Sequence, residues 1–498
     1  MASRTIRTLV ALLVGPVILG PTASFLPEAA SVFVPPKPTE VANSTAYLVQ
    51  ARTAGASSES WQTVPLYQIN VEEINSTTGS AKTHTSSVGY LNFDGGVDLV
   101  VTPDTTSYQD ISAAVVRPLS YGVQTAITNR EISFTLTQPQ NNIVLELNGD
   151  IFNVLHLWSD IIEPDPITPA QAANNSAIIY YGEGYHTLDE DFVSVGSGQT
   201  LYLAPGAVLA GSIYIQNVSS VTVRGRGILY KPSYGAILIE NSKDVTVEGI
   251  SVLSPGAYSI TAGSSKEITV SGFRSVSAVT WGDGLDFFCC QDVLVERAFL
   301  RTSDDSIALY QHRNEYYGNS SNITIRDSSL WADVAHPINI GTHGNPGDPE
   351  TMDGVTFQNI DILDQHEPQI DYQGCIAFTV GDENLIQNVL FDDIRVEDFR
   401  LGMLLSMRVV YNTKYNTAPG RGISNVTIKN LDYNGSGENT AIMSGYSDDR
   451  SIDFVDFQNL TINGLHIWDD MQKPSWYLTS DYMPMIVANH VNNLTWTS

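Results

Sequence analysis

From about residue 200 onward one short phrase keeps returning: an apolar residue, often threonine, a second apolar residue, then polar residues and more β-branched ones. It reads Val221-Thr222-Val223, Val245-Thr246-Val247, Ile268-Thr269-Val270, Val293-Leu294-Val295, Ile323-Thr324-Ile325, Val355-Thr356-Phe357, Val389-Leu390-Phe391 and Val426-Thr427-Ile428. The first positions lie 24, 23, 25, 30, 32, 34 and 37 residues apart. Periods of this size mark solenoids, and the growing spacing puts insertions into loops. Each phrase alternates with period two and is bounded by Gly, Asn, Asp and Ser, as a half-buried strand is. No sustained helical period competes. One rung cannot bury its apolar face, but a stack of eight or more can. The pattern predicts an all-β chain whose residues 175–498 form a right-handed parallel β-helix.

The rest of the chain divides at its prolines. Residues 1–24 carry Arg4 and Arg7, the apolar run Leu9 to Leu19 and then small residues, the layout of a secretory leader. A linker over 25–45 holds Pro35, Pro36 and Pro38. Residues 46–165 show short alternating segments with turn signals, which predicts a small antiparallel β-sandwich, either a cap or docking partner for the coil's first rungs or a carbohydrate-binding unit. Ten Asn-X-Ser/Thr acceptor sequences, at Asn43, Asn75, Asn174, Asn217, Asn319, Asn322, Asn425, Asn434, Asn459 and Asn493, accompany the leader. Together they predict a secreted glycoprotein. Three cysteines allow one disulfide at most, and no spacing among them suggests a metal. The net charge of −29 disfavours nucleic acid, anionic membranes and polyanionic substrates. No later segment reaches the roughly 18 apolar residues of a membrane span, and a monomer needing neither cofactor nor metal is expected.

Two aspartate clusters supply the chemistry. Gly282-Asp283-Gly284-Leu285-Asp286 and Ser303-Asp304-Asp305-Ser306 place Asp283 and Asp304 21 residues apart, close to one rung. Neighbouring rungs lie ~4.8 Å apart, and His336 falls at a similar phase on the next one. Carboxylates held this close separate their pKa values, leaving one as acid and others as base, the equipment for hydrolysing a glycosidic bond. Acid and base ~6.5–9.5 Å apart would admit a water and invert the anomeric centre. Asp286, an odd number of positions from Asp283, would face away if the segment were extended and reads as a support residue. Asp304 and Asp305 reach one cleft only through a bend or bulge. Tyr258, Trp281, Trp331 and Tyr372 are candidate stacking platforms for sugar.

At these residues the chain resembles the polygalacturonases, glycoside hydrolase family 28. Ser254-Pro255-Gly256, Gly282-Asp283-Gly284, Ser303-Asp304-Asp305-Ser306 and His336-Pro337 follow that family's motif order over about residues 200–430. The resemblance implies an inverting β-helix enzyme with Asp304 as general acid, Asp283 and Asp305 activating water, and His336 assisting beside the acid. Where the family carries Gly-x-Arg-Ile-Lys-Thr, this chain has Gly374-Cys375-Ile376-Ala377-Phe378-Thr379. Ile376 and Phe378 then replace the basic pair that grips galacturonate, with Phe378 available for stacking and Arg408 as a substitute from a neighbouring rung. The two-domain layout is similar to the dextranase and isopullulanase group, family 49, which acts on neutral α-glucans. The expectation is therefore a secreted inverting hydrolase of α-linked, neutral polysaccharide. Alternatives are a polygalacturonase, a calcium-dependent lyase and a non-catalytic binding coil.

Overall fold

The computed structural model describes residues 31–57, 60–437 and 439–498; the expected leader lies outside them. The eight repeated phrases stack in one column. Val221 pairs in parallel with Val245, and the ladder continues through Ile268, Val293, Ile323, Val355 and Val389 to Val426. Two more rungs follow at Val455 and Leu494. The residue before each phrase turns the corner with a left-handed backbone, as at Ser220, Asp244, Asn322 and Asn425. Asparagine tolerates that conformation and ladders from rung to rung. Asn322 Nδ2 donates to Asp292 Oδ1 at 2.7 Å, and Asn425 Nδ2 to Asn388 Oδ1 at 2.5 Å. The acceptor sequences at Asn322 and Asn425 are therefore a by-product of the coil's own repeat: a corner asparagine followed by an apolar-Thr phrase.

A second sheet forms the floor of a cleft. Strands Leu285–Phe288, Ile307–Tyr310, Ile338–Ile340, Ile376–Val380 and Leu405–Val409 turn Leu285, Ile307, Ile338, Ile376 and Phe378 into the core. Asp286, Ala308, Asn339, Ala377 and Ser406 form an outward column.

The third sheet carries the N-terminal unit, a six-stranded and a five-stranded sheet. Their facing residues, among them Val49, Leu99, Phe134, Phe93, Leu145 and Leu157, form one apolar core. Strand pairing is antiparallel except between Ala81–Asp94 and Asp150–Asp160. The stretch expected as a linker contributes strand Ser31–Phe33, paired with Asp94, Phe93 and Asn92, because its Ser-Val-Phe completes a sheet edge.

The two units share a buried face. Tyr67, Val88, Tyr90 and Trp158 pack on Ile228, Leu253, Val276, Phe299 and Trp331 of the coil. Arginines cross it: Arg274 donates to Asn142 Oδ1 at 2.8 Å and to Asp160 Oδ2 at 2.8 Å. Arg301 grips Asp333 with two bonds, at 2.8 and 3.0 Å, and reaches the Ile151 carbonyl at 2.9 Å. Breaking one side of a buried pair leaves an uncompensated charge. Asp333→Ala should therefore lower stability by about 3–5 kcal/mol in denaturant titration, whereas Lys243→Ala, which removes an exposed pair with Glu267, should cost less than about 1 kcal/mol.

Candidate active site

The four expected site residues lie on the turns that lead from the sandwich-facing sheet to the cleft floor. Residues 277–284 connect Arg274–Val276 to Leu285–Phe288, and 303–306 connect Phe299–Thr302 to Ile307–Tyr310. Residues 333–337 join the strand Ser320–Ala332 to Ile338–Ile340. The turns stack through backbone bonds, Gly284 N–H to the Asp305 carbonyl at 2.9 Å and Ser306 N–H to the His336 carbonyl at 2.8 Å. Close approach dictates the glycines around Asp283. A Cβ at Gly282 would lie 2.3 Å from Ser303 Oγ, and one at Gly284 would lie 2.3 Å from the Ser306 carbonyl. Trp281 just ahead has φ of 58°, a conformation that costs a bulky residue energy, and its side chain stands 67% exposed at the cleft rim. The 303–306 turn is bent rather than extended. Thr302 Oγ1 donates to the Asp304 carbonyl at 2.7 Å and Asp305 N–H to Asp304 Oδ1 at 3.0 Å.

That bend brings both aspartates into the cleft. Asp283, Asp304 and Asp305 each place a carboxylate oxygen within 4.8 Å of the others, close enough to share a proton or to hold a divalent cation. Burial together with Asp305's charge raises Asp304 to about 7. Burial, then the charge of neighbouring aspartates, pushes Asp283 and Asp286 well above the usual carboxylate range. His336 is fully buried, with Nδ1 2.6 Å from Asp305 Oδ1 and Nε2 against the Tyr372 carbonyl. A carbonyl and a carboxylate accept only, so both ring nitrogens donate and the ring is an imidazolium. Burial alone would lower its pKa, but Asp305's charge and hydrogen bond raise it. His336 was expected beside the acid; its Nδ1 bonds Asp305, the chain neighbour of Asp304, and its charge also acts on Asp304.

The substrate surface differs from expectation. Ile376 and Phe378 point into the core, in register with Ile338 and Ile340. The outward positions on that rung are Ala377 and Thr379, one step out of phase with the motif comparison. Trp331 is also inward of the cleft, buried under the sandwich between the Arg301 and Arg117 guanidiniums. Arg408 is outward, next to Thr379 in its column. It lines a cavity of about 280 Å³ with Asp371, Tyr372, Tyr411, Tyr415 and Asn416. Tyr372 stacks on Tyr415 at 4.3 Å and meets the His336 ring edge-on at 4.4 Å. Tyr258 is half-buried, and burial together with the charges of Asp283 and Asp286 raises the pKa of its hydroxyl.

Several members of the site were not expected. Asp286, read as turning away, faces the cleft, because 281–284 is a turn and the alternation of an extended strand does not run through it. Tyr310 and Asn339 bind Asp305, and Glu367 adds a buried acid near His336. Tyr310 and Asn339 were legible as outward positions of floor strands, one position from the inward Leu309 and from Ile338 and Ile340.

The family model for glycosyl hydrolases family 28 matches residues 204–466, more than half of the chain. The chain belongs to that family. It is thus a glycoside hydrolase, with the β-helix of its family. Dex49A from Penicillium minioluteum superposes with a TM-score of 0.65 at 14% identity, covering 93% of this chain and 96% of that one. A family 28 exopolygalacturonase of Yersinia enterocolitica gives 0.50 at 13% identity, covering 80% and 96%. At these identities the likeness is one of fold, and with Dex49A it extends across both units. No curated protein sequence matches the chain.

The raised carboxyls carry a cost in stability. Folded Asp304 keeps its proton up to about 7, whereas an unfolded aspartate loses it near ~3.9. The folded state binds more protons between these values, so stability is full below about 4 and falls as pH rises toward about 7. Asp304→Asn removes that dependence. Its thermal midpoint should exceed the wild type's by roughly a few degrees at pH of about 7, with the gap closing at pH of about 4. A gap that stays constant across this range would contradict the assignment.

Proposed function

We propose that the protein is a secreted enzyme that hydrolyses an α-linked, neutral polysaccharide by single displacement, with Asp304 as general acid and Asp283 on the water side. The observation that carries the acid is its environment: half-buried, facing the cleft, and raised to about 7 by burial and the neighbouring Asp305. A general acid performs best with a pKa near the working pH. Its carbonyl and one carboxylate oxygen are fixed by Thr302 and the Asp305 amide, so its orientation is set before substrate arrives.

Support for a neutral sugar comes from the rung after His336, which presents Ala377 and Thr379 to the cleft rather than a basic pair. The negative charge of the chain works in the same direction. Aromatic rings at Trp281 and around the Tyr372–Tyr415 stack offer platforms at either end of the carboxylate wall. Secretion rests on the leader-like N-terminus. One observation favours polygalacturonate as a second reading. Arg408 lies in the cleft cavity with its Nε buried and unpartnered, its other nitrogens making only long bonds of 3.3 and 3.4 Å to the Asp371 and Ile370 carbonyls. A uronate carboxylate would satisfy it.

Reducing-end release should separate the two when the purified chain is given dextran, pullulan, arabinan and polygalacturonate. Neutral polymer should be cleaved, and release from polygalacturonate alone would overturn the neutral reading. Arg408→Ala should then change KM on the neutral substrate only slightly, whereas on a uronate it would cost roughly 10- to 100-fold. Asp304→Asn should lower kcat by about 10²–10⁴. The wild-type rate should fall as pH rises through about 7, where Asp304 loses its proton.

A further inference from the structure

The outward residues of the cleft floor change character along the coil. Strand alternation turns Tyr214, Leu238 and Thr261 outward in a column that runs on into Asp286 and Ala308. The first three are partly exposed. Asp286 and Ala308 are not, at 1% and 0%, and Phe288 and Tyr310 in the column beside them are buried as well. A residue that points away from the core is buried only where something outside the coil covers it.

Two elements provide the cover, one from each side of the floor. Tyr258, on the turn before strand Ile260–Gly263, packs on a separate apolar cluster of Phe288, Cys289, Ala308, Tyr310 and Tyr316. Tyr316 belongs to a hairpin of strands His312–Arg313 and Tyr316–Tyr317, which follows Tyr310 and folds back over the preceding rungs. Its ring lies on Gly263, where a Cβ would come 2.5 Å from the ring carbons. The same ring stacks 6.1 Å from Phe288, itself stacked 5.7 Å from Tyr310. Arg313, paired with Tyr316 across the hairpin, carries a charge that acts on both the Tyr258 hydroxyl and Asp286, which places it between the two sides.

The cover is tied to the coil. His312 Nδ1 bonds the Tyr316 carbonyl at 2.6 Å, and its ring stacks 4.1 Å from Tyr317. Gly318 N–H donates to Glu350 Oε1 at 2.5 Å, and Arg313 Nη1 donates to His343 Nε2 at 3.4 Å. On the opposite flank of the aspartates lies the cavity of about 280 Å³ that Tyr372, Thr379 and Arg408 line. A polymer has room to extend in that direction and meets Tyr258, Arg313 and Tyr316 in the other.

We propose that Tyr258, Arg313 and Tyr316 form a stop that admits only a chain end past the aspartates, so that the enzyme releases a mono- or disaccharide from the end of its polymer rather than cutting within it. The proposal rests on the aspartate cleft being the hydrolytic site with Asp304 as acid. The leaving oxygen takes the proton of Asp304, the hydroxyl of water joins the anomeric carbon, and the remaining water proton restores the acid. Each turnover thus exposes one reducing end whether the cut is terminal or internal, and product size separates the two modes.

The test follows product size, viscosity and reducing ends on whichever of dextran, pullulan, arabinan and polygalacturonate the wild type cleaves, and repeats them with the double variant Tyr258→Ala/Arg313→Ala. The wild type should give the short sugar from the first time points, with viscosity nearly constant while reducing ends accumulate. At equal polymer mass below KM, its rate should rise in proportion to the number of chain ends. The double variant should give a ladder of longer oligosaccharides and a several-fold larger loss of viscosity per reducing end. A ladder with early loss of viscosity from the wild type would overturn the stop, and an unchanged product pattern in an active double variant would overturn its assignment to these residues. Should the double variant fail to fold, the wild-type pattern and its dependence on chain ends decide the proposal. Full activity in Asp304→Asn would overturn the acid alone, since product size still reports on the stop.

Discussion

The pair between Arg301 and Asp333 holds the rest of the site in place. Arg301 lies two residues before the bend that carries Asp304 and Asp305, and Asp333 three residues before His336. Their two hydrogen bonds tie consecutive rungs where the catalytic turns begin. Asp333 also accepts Arg400 at 2.9 Å and the Trp331 indole N–H at 3.1 Å. The Arg301 guanidinium stacks 4.1 Å from the Trp331 ring and donates to the Ile151 carbonyl of the sandwich. A parallel coil fixes rung spacing through its backbone but leaves its turns free to vary in length. The buried ionic lattice is what sets three such turns in phase, and the N-terminal unit covers it so that water does not weaken it.

On the other side of the same turns the protein spends stability rather than gaining it. Asp283, Asp286 and Asp304 are gathered with their carboxyls raised by burial and by neighbouring aspartates, Asp305 among them. Two buried oxygens there have no hydrogen-bond partner, which adds to the cost of gathering the acids. The stable lattice and the strained carboxylate wall are separated by two or three residues of backbone, which is how a rigid scaffold supports an unfavourable cluster.

Much of this was legible from residue order. The eight phrases predicted the ladder because period-two alternation is a direct image of a pleated half-buried strand, and each phrase pairs residue for residue with the next while the insertions fall between phrases. The positions of Asp283, Asp304, Asp305 and His336 near one another followed from the rung length. Parity was less readable where a turn intervened. Asp286 faces the cleft because its strand begins only at Leu285, and Ile376 and Phe378 face the core because the floor strand's phase differs by one from the motif comparison. Long-range pairs were not readable at all: nothing near Arg274, Arg301 or Trp331 in sequence shows that the sandwich lies over them. The acceptor sequences at Asn322 and Asn425 say little about glycosylation, since corner geometry accounts for them without any glycan.

The carboxylate wall is held more tightly than the general rule for inversion. Oxygens of Asp283, Asp304 and Asp305 lie within 4.8 Å of one another, nearer the ~5–5.5 Å of sites that form a covalent intermediate than the ~6.5–9.5 Å of sites that seat a water between acid and base. Water is nevertheless the attacking group in the proposed reaction, with all three carboxylates rising from one wall of stacked turns. The anomeric configuration of the first product decides between the two. Proton NMR on fresh digests of an α-linked substrate, recorded before mutarotation, should show the β anomer appearing first; initial formation of the α anomer would mean that an aspartate, not water, attacks the sugar.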